Sequence, residues 1–498
     1  MPTPPATSPD ARAALRRGVY LLLIALAAGS ITGRLAAVNS VDTVRLEKYL
    51  NDEARKKQPA SSEPKLRDLQ RPFLSGNDRS RWCTVRALVE HGTYAIDEIV
   101  SQPNWDTIDM VKHDGRGNPA PGPDEGRLYS SKPPLLPTLM AGEYWLLNRL
   151  TGTTLGSHPH QLGRILLFSW NVLPFVGYLV VLTGMAERYG RTDFGRVFVV
   201  AAGAFGTLVT AYAVAFTNHW PAALAVMLSL DATLRIVIDG DRRLRWFCLA
   251  GTAAAFAAAC ELPALAWCGC VAGLLVWASP RNTLRAALPG AAVVAAAALG
   301  TNFLAHGTLA PAYAQRHVEG GWYDYQFRRG SRVLDSYWKP TTSKSPIDEG
   351  EPSPTVYAFH VLVGHHGIYS LTPVWLVSLA GLALMLARRG DTAAASRRGV
   401  AAAILAVTVA CLAFYILRPL ADRNYGGTAT GFRWSIWLAP LWLFAMLPAA
   451  DGLAATRGRR LLAATFLAVS VMTVSYPTWN PWTQPWLHVL WDYLGGSS

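Results

Sequence analysis

A lysine preceded by two serines and followed by two prolines lies where a long polar loop meets an apolar helix. The stretch is Tyr129-Ser130-Ser131-Lys132-Pro133-Pro134-Leu135. Because proline fixes φ and restricts the residue before it, the two prolines bias Lys132 toward an extended conformation beside a helix start. A cation held at the level of lipid headgroups is well placed to bind a lipid phosphate. The alternative interpretation is an interfacial lysine that only anchors the helix at the membrane surface.

An acidic motif earlier in the same loop, Asn77-Asp78-Arg79-Ser80-Arg81-Trp82, begins an amphipathic stretch. Asp78 falls in the first turn of the predicted helix, where the helix dipole favours a carboxylate. The functional interpretation is a general base or a metal-binding carboxylate, and the alternative is a helix cap. Asn77 and Arg81 are further candidates in this motif. The loop also holds four weaker acidic alternatives, Asp97, Glu98, Asp106 and Asp109.

Ionisable residues also stand at the outer ends of predicted membrane spans. His219 joins two apolar runs, and Glu261 joins two others. In a membrane protein such a residue is functional or lines water, and the alternative is a satisfied polar turn. His365 and His366 stand at the mouth of another span. Adjacent histidines are poorly placed to chelate one metal ion, so proton transfer or phosphate contact is the functional interpretation, against a plain interfacial role.

A short outer segment carries arginines against the usual charge bias of membrane proteins. Arg418, Arg423 and Arg433 flank the segment Asn424-Tyr425-Gly426-Gly427. Since guanidinium groups pair well with phosphate, Arg423 and Arg433 predict contact with an anionic ligand, and Tyr425 is a further candidate beside them. Headgroup anchoring is the alternative.

Membrane-spanning helices are the elements that must position these residues. Of the 498 residues, 51% are hydrophobic, and they come in long runs. The expected fold class is an all-α polytopic membrane protein with about eleven transmembrane helices. The predicted spans are Val19–Val38, Ile165–Gly184, Val197–Phe216, Trp220–Ile238, Trp246–Cys260, Leu262–Ala278, Leu288–Leu304, Ile368–Ala387, Val400–Leu417, Trp434–Pro448 and Leu461–Pro477.

The distribution of charge predicts the orientation. The net charge of +13 comes mainly from arginines between apolar runs, which indicates topology rather than nucleic-acid binding. If Pro134–Leu150 lies in the outer interface without crossing, every arginine-rich connection falls on the side of the N-terminus. We therefore expect a cytoplasmic N-terminus and an extracytoplasmic site.

The expected organisation follows from these spans. It comprises a cytoplasmic tail (1–18), the first transmembrane helix (19–38), an extracytoplasmic loop with the acidic and SSKPPL motifs (39–163), transmembrane helices 2–7 (164–304), a second large extracytoplasmic loop (305–367), transmembrane helices 8–11 (368–477) and an extracytoplasmic tail (478–498). Pro103–Pro123, rich in Gly, Pro, Asn and Asp, is expected to be an irregular part of the first loop.

Several classes of site have no sequence signature. No Walker A, Rossmann or HExxH motif is present, so the chain carries no recognisable nucleotide-binding machinery. An outward-facing site would not meet cytoplasmic nucleotide sugars, and a lipid-linked donor fits both facts. Five of the six cysteines lie in or at the ends of apolar segments, so no disulfide framework is implied.

In the order of its features the chain resembles the GT-C glycosyltransferases, particularly protein O-mannosyltransferases and lipid A aminoarabinose transferases. Lys132-Pro133-Pro134-Leu135 is similar to the family motif whose lysine contacts the phosphate of a polyprenyl-phosphate sugar. The segments Gly364–Pro373 and Tyr425 through Arg433 are similar to segments of bacterial members. The resemblance implies a glycosyltransferase of the bacterial inner membrane with juxtamembrane helices in its first loop. It also implies a polyprenyl-phosphate sugar donor, and an extracytoplasmic acceptor that is a protein, a lipid or a glycan.

The resemblance also implies a mechanism. Asp78 deprotonates or orients the acceptor, which attacks the anomeric carbon, while Lys132 with Arg433 or Arg423 stabilises the departing phosphate. The motif departs from the Asp-Glu pair of the family, because Asn77 stands where the first acid is expected. No cofactor is expected; some members of the family use a divalent metal, but the sequence contains no clear ligand cluster for one.

Two other functions stay open at the level of sequence. A membrane transporter or lipid flippase is suggested by the buried ionisable residues His219 and Glu261, although no inverted repeat is evident. A non-catalytic membrane assembly protein is suggested by Asn77 at the first acidic position.

Overall fold

Apolar helices account for most of the chain in the computed structural model. The structure describes residues 9–37, 48, 51–52, 55–56, 72–390, 392–478 and 480–495. Most of the predicted cytoplasmic tail's first half and the beginning of the predicted first loop lie outside these residues.

Sixteen α-helices of eight or more residues lie within the described part of the chain. They are α1 Pro9–Ala37, α2 Gly76–Glu90, α3 Leu135–Thr151, α4 Pro159–Leu167, α5 Leu173–Tyr189, α6 Asp193–Phe205, α7 His219–Val237, α8 Leu244–Cys260, α9 Leu265–Ala278, α10 Leu288–His306, α11 Pro354–Leu362, α12 Trp375–Ala387, α13 Thr392–Ile416, α14 Ala439–Leu453, α15 Arg457–Ser475 and α16 Trp486–Tyr493. Shorter helical turns are Asp97–Val100, Phe168–Val172, Leu208–Tyr212, Leu262–Ala264, Pro280–Asn282, Thr283–Ala287, Ala312–Gln315, Pro346–Glu349, Ile368–Leu371, Leu420–Asp422 and Arg433–Leu438.

Eight helical runs in the described residues are long and apolar enough to cross a membrane. They are Asp10–Ala37, Pro159–Tyr189, Asp193–Tyr212, His219–Val237, Pro280–His306, Ala394–Ile416, Arg433–Leu453 and Arg457–Ser475. Three shorter apolar helices, Leu244–Cys260, Leu262–Ala278 and Trp375–Ala387, occupy the positions of the other predicted spans. The expected all-α polytopic membrane fold is therefore confirmed.

Two predicted spans are interrupted rather than continuous. Within Val197–Phe216, α6 ends at Phe205 and a short helix begins after Gly206. Within Ile368–Ala387, a short helix ends before Thr372, whose φ of −127° and ψ of 70° lie outside the helical region. Because proline disfavours the helical conformation of the residue before it, Pro373 explains this second break.

The first loop contains a regular β-hairpin, which corrects the expectation of an irregular Pro103–Pro123. Strand β1 (Met110–His113) pairs antiparallel with β2 (Arg127–Ser130), with Met110 opposite Ser130. The turn residues rich in Gly, Pro and Asp connect the strands, and Val111 is buried among aromatic side chains. The Gly, Pro, Asn and Asp content of Pro103–Pro123 correctly predicts an irregular connection after β1, but it does not predict β1 itself. A second hairpin, β3 (Gln326–Arg329) with β4 (Arg332–Asp335), lies in the second loop.

Aromatic packing fixes the first loop to the membrane helices. The ring of Trp82 in α2 stacks on Phe73 at 4.4 Å between centroids and meets Phe216 at 5.1 Å. Trp82 is fully buried. Helix α2 therefore has a defined position against the segment that leads into α7, because burial of large aromatic surfaces dominates packing energetics.

Polar residues of α3 find partners in neighbouring elements. Both carboxylate oxygens of Glu143 accept hydrogen bonds at 2.6 Å, one from Ser169 Oγ and one from Trp170 Nε1. Tyr144 donates its hydroxyl to Glu90 at 2.7 Å. These hydrogen bonds satisfy the carboxylate and hydroxyl groups, whose exposure to lipid would cost free energy. They join α3 to α2 and to the helical turn Phe168–Val172 before α5.

One end of the helix bundle, which we call the arginine end, collects charged residues around the start of α1. Arg16 contacts Glu187 at 2.5 Å and Asp193 at 2.6 Å, which joins α1 to the connection between α5 and α6. Arg188 contacts Asp239 at 3.0 Å, so the connection between α7 and α8 lies at the same end.

Candidate functional site

The β1–β2 hairpin brings an aspartate and a lysine together at its open end. Asp109 precedes β1 and Lys132 follows β2, and the pairing of Met110 with Ser130 places the two at the same end. The Ser131 amide donates to the Asp109 carbonyl at 3.1 Å, which extends the ladder by one step. Ser80 Oγ of α2 donates to that same carbonyl at 2.6 Å. The backbone pairing of the hairpin therefore places Asp109 beside Lys132, and the Ser80 side chain adds a further bond to the same carbonyl.

Lys132 and Asp109 form a buried ion pair. Lys132 Nζ lies 2.9 Å from Asp109 Oδ1, and both side chains are less than 10% exposed. Burial lowers the pKa of Lys132 to about 8, with the positive charges of Arg81 and Arg433 acting in the same direction and Asp109 opposing them. Burial, the largest single influence, raises the pKa of Asp109, but Lys132, Arg316 and Arg81 together lower it by more, and the net shift is downward. At neutral pH both groups are therefore charged.

Arg81 reaches from α2 to the start of α7. Its Nε donates to Asn218 Oδ1 at 2.7 Å, and its NH1 group donates to the carbonyl and side-chain oxygens of Asn77 at 2.8 Å. Arg81 is only 3% exposed. Among the described residues its hydrogen-bond partners are neutral amides and carbonyls, and no carboxylate forms an ion pair with it, so the negative charges of Asp78 and Asp109 act on it only from farther away.

His219 connects two of the other predicted residues. Its Nδ1 atom lies 2.6 Å from Glu261 Oε1, and its Nε2 atom lies 2.8 Å from the NH1 group of Arg433. Arg433 also donates to the Gly426 carbonyl at 2.9 Å and lies over the ring of Trp482. Residues from three separate helix ends, each singled out in the sequence for its own reason, thus form one chain of contacts.

These groups make one cluster, which we call the cation cluster. Its members are Arg81, Asp109, Lys132, His219, Glu261, Tyr313 and Arg433. Lys132 Nζ lies 6.0 Å from the centre of the Tyr313 ring. Tyr313 is 40% exposed, so the cluster opens to its surroundings on the side of this ring. The cluster combines three strong cations with two carboxylates, in a setting of low solvent access where electrostatic interactions are strengthened.

Asp78 is buried at the edge of this cluster. Its carboxylate accepts the backbone amides of Phe216 at 3.2 Å and of Leu74 at 3.4 Å. Burial raises the pKa of Asp78 to about 6, with the Leu74 hydrogen bond and the charge of Arg81 opposing the shift. Asp78 and Arg81 therefore both hold the segment that leads into His219. The catalytic role predicted for Asp78 stays a prediction.

Arg423 is engaged elsewhere. Its guanidinium donates to the backbone carbonyls of Glu351 at 2.8 Å, Pro352 at 2.7 Å and Arg418 at 3.3 Å. Those bonds tie the segment before α11 to the connection after α13. The structure brings Arg433, and not Arg423, into contact with the other candidates.

His365, His366 and Tyr425 lie in a separate histidine group on the same side. The rings of His366 and Tyr425 are stacked at 4.7 Å, and His365 stacks on His360 at 3.8 Å. Burial lowers the pKa of His365 to about 3 and holds the pKa of His366 well below its usual value, so both are neutral at ordinary pH. Tyr425 is followed directly by Gly426, the partner of Arg433, which connects the two groups through the backbone.

Asp109 and Tyr313 are the members of the cluster that sequence reasoning missed or ranked low. Asp109 was one of four less favoured candidates for the functional carboxylate, and nothing in the neighbouring sequence distinguished it from Asp106. The strand that aligns Asp109 with the Ser-Lys motif gave no clear signal, because Met110-Val111-Lys112-His113 lacks the alternation of apolar and polar residues that predicts a half-buried strand. Within the described residues, no group of three or more His, Cys, Asp or Glu side chains is arranged to hold a metal ion.

No protein-family model and no curated protein matches the chain. Among solved structures it is similar to the oligosaccharyltransferase of Archaeoglobus fulgidus. The apo crystal structure has a TM-score of 0.42 and 11% identity, covering 92% of this chain and 55% of that one. The form tethered to an acceptor peptide with the NVT sequon has a TM-score of 0.43 and 10% identity, covering 92% of this chain and 54% of that one. The archaeal oligosaccharyltransferase AglB from the same organism, in complex with an inhibitory peptide and a dolichol-phosphate, has a TM-score of 0.42 and 12% identity, covering 94% of this chain and 56% of that one. The chain spans about half the length of these proteins.

Proposed function

We propose that the protein is an integral membrane glycosyltransferase that transfers a sugar from a polyprenyl-phosphate donor to an extracytoplasmic acceptor. The observation that carries this proposal is that two buried or half-buried arginines of the cation cluster have no carboxylate in direct contact among the described residues. Arg81 and Arg433 are held by neutral groups and Lys132 has a single carboxylate partner. Since an uncompensated buried charge is costly, a bound anion is the expected counter-charge.

The chemistry of the cluster favours a phosphate as that anion. Guanidinium groups pair with phosphate oxygens through two parallel hydrogen bonds, and a lysine adds a point charge. The cluster lies at the ends of apolar helices. Beside Glu261, Leu262 is 55% exposed. An apolar surface next to a phosphate site suits a lipid-linked phosphate better than a soluble one.

In the proposed reaction a hydroxyl or amine of the acceptor attacks the anomeric carbon of the donor sugar. The bond between that carbon and the phosphate oxygen breaks, and polyprenyl phosphate leaves with an added negative charge. Lys132, Arg81 and Arg433 stabilise that charge as it develops. A carboxylate takes the proton of the acceptor, and the chain offers two candidates for this role, Asp109 and Asp78.

Position favours Asp109 as the base. It contacts Lys132 directly, so a phosphate bound to Lys132 brings the anomeric carbon near the Asp109 carboxylate. Asp78 has the pKa better matched to neutral pH, but its carboxylate faces two backbone amides. We propose Asp109 as the acceptor-binding carboxylate and keep Asp78 as the alternative.

The test is transfer in proteoliposomes, with a panel of labelled polyprenyl-phosphate sugars and envelope acceptors. The variant is Arg433→Gln, and the matched control is Arg328→Gln, an outer-loop arginine paired with Asp124 at 2.8 Å. We expect transfer or donor hydrolysis by wild type and the control, and a loss on the order of 10²–10³ for Arg433→Gln. Equal turnover by all three proteins would contradict the proposal.

A further inference from the structure

A cavity of about 520 Å³ lies at the arginine end of the bundle, away from the cation cluster. Its walls come from the connection between α5 and α6, from the end of α12, from the start of α13 and from α14. Apolar walls are supplied by Leu384, Met385, Phe444, Leu447 and Pro448. Leu384 is 53% exposed, so the cavity opens sideways toward the surroundings of the helices.

Three arginines line this cavity, Arg191, Arg388 and Arg397. Within the described residues, none of their guanidinium groups has a carboxylate in ion-pair contact, whereas Arg16 and Arg188 at the same end have such partners. The cavity also contains one acid, Asp451. Its carboxylate accepts the backbone amides of Arg191 at 2.9 Å and Thr192 at 2.8 Å, together with the Thr192 hydroxyl. With three positive groups and one negative group, the lining has a net charge of +2.

The geometry points to a binding site for an anionic glycerophospholipid. The arginines lie at helix ends, where the headgroup level of a bilayer falls, and basic pockets between transmembrane helices bind anionic lipid headgroups. The lipid phosphate contacts Arg388 and Arg397, and an acyl chain lies along Leu384, Met385 and Leu447. A free phosphate ion would use the arginines and leave the apolar wall uncovered. This inference does not depend on the proposed transfer reaction.

The test uses native mass spectrometry of the full chain in detergent, titrated with phosphatidylglycerol and with phosphatidylcholine. The charge variant is Arg388→Gln with Arg397→Gln. The matched control is Arg281→Gln with Arg285→Gln, two exposed arginines outside the cavity. They lie at the same end, because Asn282 donates to the Arg242 carbonyl at 3.0 Å in the connection after α7. We expect the charge variant to bind phosphatidylglycerol roughly 30-fold more weakly than wild type or control.

A second variant separates the apolar wall from the charge. A side-chain carbon added at Gly452, which lines the cavity, would meet no atom within 4 Å. The side chain of Gly452→Phe therefore begins in open space, and this variant adds bulk at the cavity wall while keeping all three arginines. We expect it to weaken phosphatidylglycerol binding while thermal unfolding without lipid stays as in wild type.

Three outcomes would overturn the inference. One is equal binding of phosphatidylglycerol and phosphatidylcholine by wild type. Another is an equal loss in the charge variant and the Arg281/Arg285 control, which would indicate a general surface effect. The third is displacement of the bound lipid by excess inorganic phosphate, which would show that the arginines recognise the phosphate alone.

Discussion

Arginines gather at both ends of the helix bundle, but Arg16, which joins helices at the arginine end, has different partners from the arginines of the cation cluster. At the arginine end, Arg16 contacts the carboxylates of Glu187 and Asp193 at 2.5 and 2.6 Å. In the cation cluster, Arg81 and Arg433 contact amide, carbonyl and imidazole groups instead. Arg16 has its counter-charges within the protein, whereas in the proposed function a bound phosphate supplies them for Arg81 and Arg433. The comparison therefore predicts that the partners of an arginine, more than its residue type, separate arginines that join helices from arginines that bind an anion.

The strongest test of this comparison concerns the carboxylates of the cation cluster. We expect Asp109→Asn to lower kcat/KM for sugar transfer by about 10²–10⁴, because a positioned base contributes that much. Asp78→Asn keeps an oxygen for one of the two backbone amides, so its main expected effect is on folding. Transfer rates should be measured together with thermal unfolding for both variants. The opposite result would be a large loss of transfer rate in Asp78→Asn at an unchanged unfolding temperature, together with a small loss in Asp109→Asn. It would assign the base to Asp78 and a structural role to Asp109.

Two lysines of the β1–β2 hairpin allow a matched test of phosphate binding. Lys132 contacts Asp109, whereas Lys112 in β1 donates to the backbone carbonyls of Gly122 and Gln326. We expect Lys132→Met to lower kcat/KM by about 10²–10³, since it removes a cation next to the departing phosphate. Lys112→Met should lower the unfolding temperature and leave the kinetic constants of the folded enzyme near those of wild type. Equal kinetic losses in both variants would assign Lys132 a structural role.

The pH profile gives a smaller effect that also separates the two carboxylates. Lys132 has a pKa of about 8 and loses its charge above it, so kcat/KM should fall up to tenfold per pH unit above pH 8. On the acid side, a base with the raised pKa of Asp78 predicts a fall below about pH 6. The lowered pKa of Asp109 predicts instead that activity persists at more acidic pH than it would with Asp78 as the base. A profile without an alkaline fall would exclude an essential charge on Lys132.

The sequence allowed the membrane helices and most members of the cluster to be predicted, but not their contacts. The spans follow from long apolar runs, because bilayer thickness determines their length. His219, Glu261 and Arg433 were each selected for a charge at a span end, and only the packing of three helices brings them together. Asp109 could not be chosen over its acidic neighbours, because its position depends on the register of a hairpin with a long connection. The breaks at Gly206 and Thr372 were missed, because apolar composition alone does not report backbone conformation.

The smallest expected effect on catalysis is at the arginine end. Arg16→Gln removes the nearest cation of Glu187 and Asp193 and leaves Arg196 at 3.8 and 3.9 Å, and it should lower the free energy of unfolding by about 1–3 kcal/mol, as loss of a charged hydrogen-bond partner commonly does. Glu187 keeps a hydrogen bond from Tyr20 at 2.7 Å, which places the expected effect toward the lower part of this range. The kcat/KM of the folded protein should stay within about twofold of wild type, since these ion pairs are complete within the chain. Thermal unfolding and transfer assays on the same preparation check both statements. A catalytic loss as large as that of Arg433→Gln would mean that the two ends are coupled, and the difference in partners would then no longer separate structural from ligand-binding arginines.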